Sequence, residues 1–225
     1  YGDARRSEIQ RETKDLRLED LIVDEEMVVT VSHTGYIKRN PISLYRTQRR
    51  GGRGKVGMGT KEEDFVSMLF IASMHTYVLF FSDQGKVYWL KVHELPEAGR
   101  ASKGRAIVNL LSLSPGEEIA SILPVREFTE GKFVMTATKQ GVIKKTDLME
   151  YSRPRAGGII SMGLNEGDRL IATAITTGQD EVSLSTRRGM SIRFHEEDVR
   201  PMGRAAVGVR GIDLEEGDVA VGMEI

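Results

Sequence analysis

The sequence predicts an all-β chain assembled from repeated four-stranded units, and three observations carry that prediction. A hairpin pattern recurs four times, a glycine-containing basic segment follows each hairpin, and an acidic turn follows each basic segment. The three markers stay in register from copy to copy, which marks a repeat architecture. The chain of 225 residues accommodates a linker and about four units of roughly 50 residues, the size of a propeller blade.

The elements follow in chain order. Residues 3–21 are highly charged and weakly periodic, and Ser7 with Gln10 has the spacing of a capping box. Residues 1–22 are therefore expected to be a linker or helix leading into a β domain over 23–225. The hairpins read MVVTVS-HTG-YIKRN, YVLFF-SDQG-KVYWLK, FVMTAT-KQG-VIKKT and EVSLS-TRRG-MSIRF, with turn glycines Gly35, Gly85, Gly141 and Gly189. Glycine suits a tight turn that needs positive φ. The basic segments read QRRGGRGKVGM, ASKGRAIVNLL, RPRAGGIISMGL and RAAVGVRGIDL; Gly54, Gly104 and Gly208 each lie 19 residues after their hairpin glycine, and Gly158 lies 17 after. Asp64, Glu118, Asp168 and Asp218 hold equivalent places in the acidic turns, each followed by an apolar run. Helix is expected only as a turn or two near Leu44, Glu94, Leu148 and Asp198.

Composition excludes several classes of function. With no cysteine, a disulfide scaffold, a thiolate zinc site and cysteine nucleophilic chemistry are ruled out. The longest near-continuous apolar run, 66–74, is too short to span a membrane. A first residue of Tyr with no signal peptide after it suggests a piece of a longer cytoplasmic chain. The net charge of −1 hides a division: windows 35–61, 85–105, 139–158 and 187–211 hold 24 of the 32 Lys and Arg but 7 of the 33 acids. These windows carry +17 and the remainder −18. A repeated positive belt of this kind suits a long polyanion.

Pleat periodicity assigns side chains to this belt. The fourth residue after each hairpin glycine is Arg39, Trp89, Lys145 and Arg193, and equivalent strand positions point the same way. Three of four units are thus expected to present a cation on one outer rim. The full expected set is Lys38, Arg39, Arg46 and Lys55; Arg100, Lys103 and Arg105; Lys144, Lys145, Arg153 and Arg155; and Arg193, Arg204 and Arg210. The densest stretch is Gln48, Arg49, Arg50, Gly51, Gly52, Arg53 and Gly54. There glycines bring backbone N–H groups close to phosphate oxygens and arginines supply forked donors.

Other signals are weaker. Residues 52–57 match G-x-G-x-x-G but lack the preceding apolar strand and the following helix of a dinucleotide site. His33, His75, His93 and His195 lack metal-ligand spacing, and the EEGD turns lack calcium-loop alternation. Trp89 reads as a packing residue more readily than as a base-stacking one.

QRRGGRG closely resembles the seven-residue box, usually QRRGGKG, of the DNA gyrase A C-terminal domain, with Arg53 replacing Lys. The likeness extends along the chain through YGDARRSEI, EDLIVDEEMVVTVSHTGYIKR, HELPEAGRASKGRAIVNLL and VRPMGRAAVGVRGIDLEEGD. The related domain of topoisomerase IV is similar but lacks an intact box. The resemblance implies a β-pinwheel, a propeller-like disc whose blades exchange strands. About four of a usual six blades are visible, which leaves open a disc that is incomplete at its C-terminus. The resemblance also implies that double-stranded DNA wraps in a positive sense around the rim, with the box required for ATP-dependent negative supercoiling. It implies partnership with the rest of gyrase A and with gyrase B in an A2B2 complex, in the bacterial cytoplasm at the nucleoid. No catalysis, metal, cofactor, membrane or small-molecule substrate is expected in this domain. The cleavage tyrosine, Mg2+ and ATP belong elsewhere in the enzyme. A topoisomerase IV domain and a protein-interaction propeller are the alternatives; an enzyme built on a propeller would need convergent carboxylates that the sequence does not offer.

Overall fold

The computed structural model describes residues 18–45, 58–59 and 64–225. Residues 18–21 form a 3-10 turn, and its Glu19 ion-pairs with Lys91 and approaches His75 Nδ1 at 3.6 Å. The expected capping box at Ser7 and Gln10 lies outside the described residues.

The first repeat supplies β1 (Glu26–Ser32), β2 (Tyr36–Pro41) and β3 (Val66–Ser73). The second supplies β4 (Tyr77–Ser82), β5 (Lys86–Lys91), β6 (Arg105–Ala106) and β7 (Ile119–Val125). The third supplies β8 (Phe133–Thr138), β9 (Val142–Asp147), β10 (Ile159–Ile160) and β11 (Leu170–Thr176). The fourth supplies β12 (Glu181–Thr186), β13 (Ser191–His195), β14 (Val209–Arg210) and β15 (Ala220–Glu224). The hairpin glycines Gly35, Gly85, Gly141 and Gly189 have φ of 82°, 78°, 78° and 85°, where a side chain would be strained. The 3-10 turns Ile42–Leu44, Val92–Glu94, Leu148–Tyr151 and Glu196–Asp198 fall where short helical turns are expected.

Four antiparallel sheets result, ordered β3-β1-β2-β6, β10-β5-β4-β7, β11-β8-β9-β14 and β13-β12-β15. Each hairpin pairs with the strand that follows its own acidic turn. In the first three sheets the other edge is taken by a two-residue strand from the next repeat: Tyr36 pairs with Ala106, Val87 with Ile159 and Ile143 with Val209. The exchange is locked by backbone bonds in which Ile107, Ser161 and Gly211 donate to the carbonyls of Gly35, Gly85 and Gly141 at 2.8 Å. The second, third and fourth basic segments are therefore crossover loops that strap one blade to the previous one.

Apolar residues alternate to fill the spaces between sheets. One core joins Val29, Val31 and Ile37 to Val78, Phe80 and Tyr88; the next joins Leu79, Phe81 and Val87 to Val134, Tyr151 and Leu170; the third joins Met135, Ala137 and Ile143 to Val182 and Leu184. Burial of this apolar surface holds the stack together. The fourth sheet ends the pattern: Ser183, Ser185 and Ser191 stand where the other sheets present these inward residues, and none of the three is buried.

The acidic turns have a structural task that the sequence did not suggest. Asp64 Oδ1 accepts from Thr34 N–H, Asp168 Oδ1 from Gln140 N–H and Asp218 Oδ1 from Arg188 N–H, at 3.0, 2.9 and 3.2 Å. Each carboxylate ties its turn to its own hairpin loop. In the second blade the roles are exchanged, and Asp83 of the hairpin accepts from Glu118 N–H at 3.0 Å.

Candidate nucleic-acid interface

The structure sorts the sequence-predicted cations into two populations. Four are corrected from rim positions to interior ones. Lys38, Lys144 and Lys145 are buried, at 0%, 0% and 4% exposure, and the Arg39 side chain is 11% exposed. The rim assignment failed for Arg39 and Lys145 because the fourth position after the hairpin glycine faces the next blade. Arg39 Nε donates to Leu95 O at 2.9 Å, Trp89 Nε1 to Tyr151 O at 3.0 Å and Lys145 Nζ to Glu196 O at 3.3 Å. This position is an inter-blade strut wherever a following blade is described. Trp89 thus serves packing and one hydrogen bond, as its apolar surroundings require. Lys38 and Lys144, one residue earlier, turn inward on the other face.

The second population lies at the surface on or beside the crossover loops. Arg105, Arg153 and Arg155 are exposed and make no ion pair among the described residues, while Arg100 and Lys103 are half-buried. Arg204 is half-buried beside Glu150 at 3.3 Å, Arg210 is exposed beside Asp213 at 2.6 Å, and Arg193 is exposed beside Glu181 at 3.1 Å. Exposed pairs of this kind contribute about 0–1 kcal/mol, so they are readily exchanged for phosphate. Arg46, Lys55 and the box residues Gln48, Arg49, Arg50, Gly51, Gly52, Arg53 and Gly54 lie outside the described residues.

Glycines bring these loops against the preceding sheet. A Cβ on Gly104 would strike Ile37 O, one on Gly158 would lie 2.7 Å from the Tyr88 ring, and one on Gly208 would lie 2.5 Å from Ile143 O. Between the third and fourth crossover loops lies a groove of about 610 Å³, lined by Lys86, Glu150, Arg155, Gly157, Gly158 and Arg204 among others. Lys86, in β5, was not among the rim cations expected from the sequence. Its signal was available as the residue directly after the turn glycine Gly85. Arg200, exposed ahead of Pro201, was not among them either.

Among the described residues no cluster of His, Asp or Glu is arranged to hold a metal ion, and no helix is long and apolar enough to cross a membrane.

Comparison with known proteins agrees with the repeat boundaries. The profile described as "DNA gyrase C-terminal domain, beta-propeller" matches residues 26–73, 76–126, 132–177 and 180–225, one match for each repeat. The chain belongs to the DNA gyrase C-terminal domain family. The gyrase A protein of Klebsiella oxytoca is 51% identical over 223 residues, covering 99% of this chain and 26% of that protein. Its counterpart from Clostridium acetobutylicum is 48% identical over 211 residues, covering 94% of this chain and 25% of that protein. The chain thus spans about a quarter of the length of the curated relatives it matches. Among solved structures, the C-terminal domain of DNA topoisomerase IV superposes with a TM-score of 0.77 at 28% identity, covering 90% of this chain and 62% of the other. A DNA gyrase A C-terminal domain gives 0.68 at 26% identity, covering 88% and 64%. Both solved domains share the fold; the profile match and the 51% and 48% identities with the two full-length gyrase A proteins set the family.

Proposed function

We infer that this chain is a non-catalytic DNA-wrapping domain, and one observation carries the reading: three successive crossover loops carry surface cations at the boundaries between blades. Arg100, Lys103 and Arg105, then Arg153 and Arg155, then Arg204 and Arg210 form three stations along the stack. Duplex DNA following these stations is bent, at an elastic cost of roughly 1–6 kcal/mol per 20–30 bp. Some eight to ten phosphate contacts, each steepening the salt dependence by about 0.9 in log–log slope, offset that cost at low salt. Contacts of this type position DNA without reading its bases.

In the full-length protein the wrap has a positive sense and supplies the segment for strand passage. Negative supercoiling then follows with ATP hydrolysed on a partner protein, in an A2B2 assembly at the bacterial nucleoid. The cleavage tyrosine, Mg2+ and ATP sites belong to other parts of that assembly. The Gln48–Gly54 box is proposed as the strongest DNA contact, on its resemblance to the family box.

The test is topological. Full-length protein is mixed with nicked plasmid, the nick is ligated, protein is removed, and linking number is measured. A positive shift at low salt that collapses as salt rises supports wrapping, whereas an unchanged linking number at low salt overturns it.

A further inference from the structure

Lys38 and Lys144 occupy equivalent places, each three residues after its hairpin glycine. Both are fully buried, and neither forms an ion pair among the described residues. A buried ammonium without a carboxylate is costly unless its donors are satisfied. Here they are satisfied by one kind of partner. Lys38 Nζ donates to the carbonyls of Gly99 at 3.0 Å and Arg100 at 2.5 Å. Lys144 Nζ donates to the carbonyls of Ser161 at 2.5 Å, Arg204 at 2.7 Å and Gly203 at 3.5 Å. Gly99–Arg100 and Gly203–Arg204 are equivalent segments of the second and fourth crossover loops, each shortly ahead of its positive-φ glycine, Gly104 or Gly208.

Each lysine therefore reaches out of one blade and grips the backbone of the loop from the next, directly beneath an arginine of the surface. The electrostatics make this placement informative. Burial, with the adjacent Arg204 charge adding to it, pushes Lys144 down to about 8, and burial with Arg100 lowers Lys38 in the same sense. An ammonium under a guanidinium is unfavourable, and the carbonyl cage is what the arrangement gains. The fold itself does not require it. The second hairpin has Tyr88 at this position, with its hydroxyl given to Glu117 at 2.9 Å, and the fourth has Ile192.

We propose that Lys38 and Lys144 are positioning residues for DNA wrapping, holding the second and fourth crossover loops so that Arg100 and Arg204 meet phosphate at a fixed height. The proposal rests on the wrapping function above. Neither lysine touches DNA; they act through loop backbone, with three donors on Lys144 matched to three carbonyls.

The test uses the full-length protein with Lys144→Met, and with Lys144→Tyr as a second variant that copies the second blade. Hydrogen exchange by mass spectrometry reads the loop, thermal melting reads the fold, and plasmid ligation reads the wrap. The expected result is at least tenfold faster amide exchange confined to residues 201–206 and a several-fold smaller linking-number shift per bound protein. The melting temperature stays within a few degrees of the parent. Parent-like exchange across that loop, or a parent-like wrap despite faster exchange, overturns the proposal. Loss of fold in both variants also overturns it, since the lysine would then determine the fold. Failure of the parent itself to wrap overturns the proposed function instead, and exchange alone then decides whether the lysine fixes the loop.

Discussion

Lys145 Nζ lies 3.1 Å from Glu196 Oε2 across the boundary between the third and fourth sheets, and the two side chains are 5% and 0% exposed. Glu196 is further held by the Thr176 hydroxyl at 2.7 Å and by Asp180 N–H at 2.9 Å, while the ammonium also lies over the Phe133 ring. Glu196 titrates below the usual carboxylate range, because these hydrogen bonds and Lys145 outweigh the desolvation that opposes its charge.

Removing one partner of a buried pair leaves the other charge uncompensated, at a cost of about 3–5 kcal/mol. Lys145→Met is expected to lower the melting temperature by roughly 10 °C, taking about 2–4 °C per kcal/mol for a chain of this size. The salt slope of DNA binding by the folded variant should not change. A reduced slope with an unchanged melting temperature would return Lys145 to the DNA-binding surface.

The acidic turns predict the acid limb of stability. Desolvation opposes the charge on Asp64, but hydrogen bonds from Thr34, Ser32 and Phe65 hold its carboxyl down to about 2, below the ordinary 3.8. A depressed folded-state value contributes stability that is present above pH 3.8 and is lost as pH falls toward 2. Asp64→Asn should therefore melt at a temperature that changes less between pH 4 and pH 2 than the parent does. Melting curves across that range decide it; parallel pH profiles would show that the carboxylate is not linked to folding.

Much of the architecture was legible because hairpin glycines, crossover glycines and acidic turns recur at fixed places, and each has a local physical cause. Gly85 and Gly141 need positive φ, and Gly158 needs room beneath Tyr88. The site was less legible. A period of two assigns a side chain to a face, but it does not say whether that face meets water or another blade. Arg39 and Lys145 read as rim cations for that reason, although Trp89 at the same repeat position already pointed to an interior environment. Lys38 and Lys144 were hidden by their charge, since buried ammonium groups are rare and the carbonyls of Gly99 and Arg204 that they reach lie some 60 residues away.

The crossover glycines separate two effects that alanine substitution usually mixes. Gly208 has φ of 107° and faces Ile143 O at the distance of a severe clash, whereas Gly157 has open space around its missing Cβ and no positive φ. Gly208→Ala should destabilise by about 1–3 kcal/mol through backbone strain, with more added by the clash. Gly157→Ala should be within about 0.5 kcal/mol of the parent. Chemical denaturation measures both, and equal effects would mean that the fourth crossover does not seat on β9.

The surface cations make the sharpest contrast with the struts. Arg105 and Arg155 project from successive crossovers and make no ion pair among the described residues. Each substitution to Ala should remove one phosphate contact and reduce the magnitude of the log–log salt slope by about 0.9. The pair together should reduce it by about 1.8, because well-separated sites add. Melting temperature should move little, since neither side chain packs in the core. Arg39→Ala should do the reverse: it removes the strut to Leu95 O and the pair with Glu97, lowering stability with the slope unchanged. Salt titrations of plasmid binding, run beside thermal melts, place each arginine in one class or the other. If Arg105→Ala left the slope intact while Arg39→Ala reduced it, DNA would follow the faces between blades, and the path over the crossover loops would be wrong.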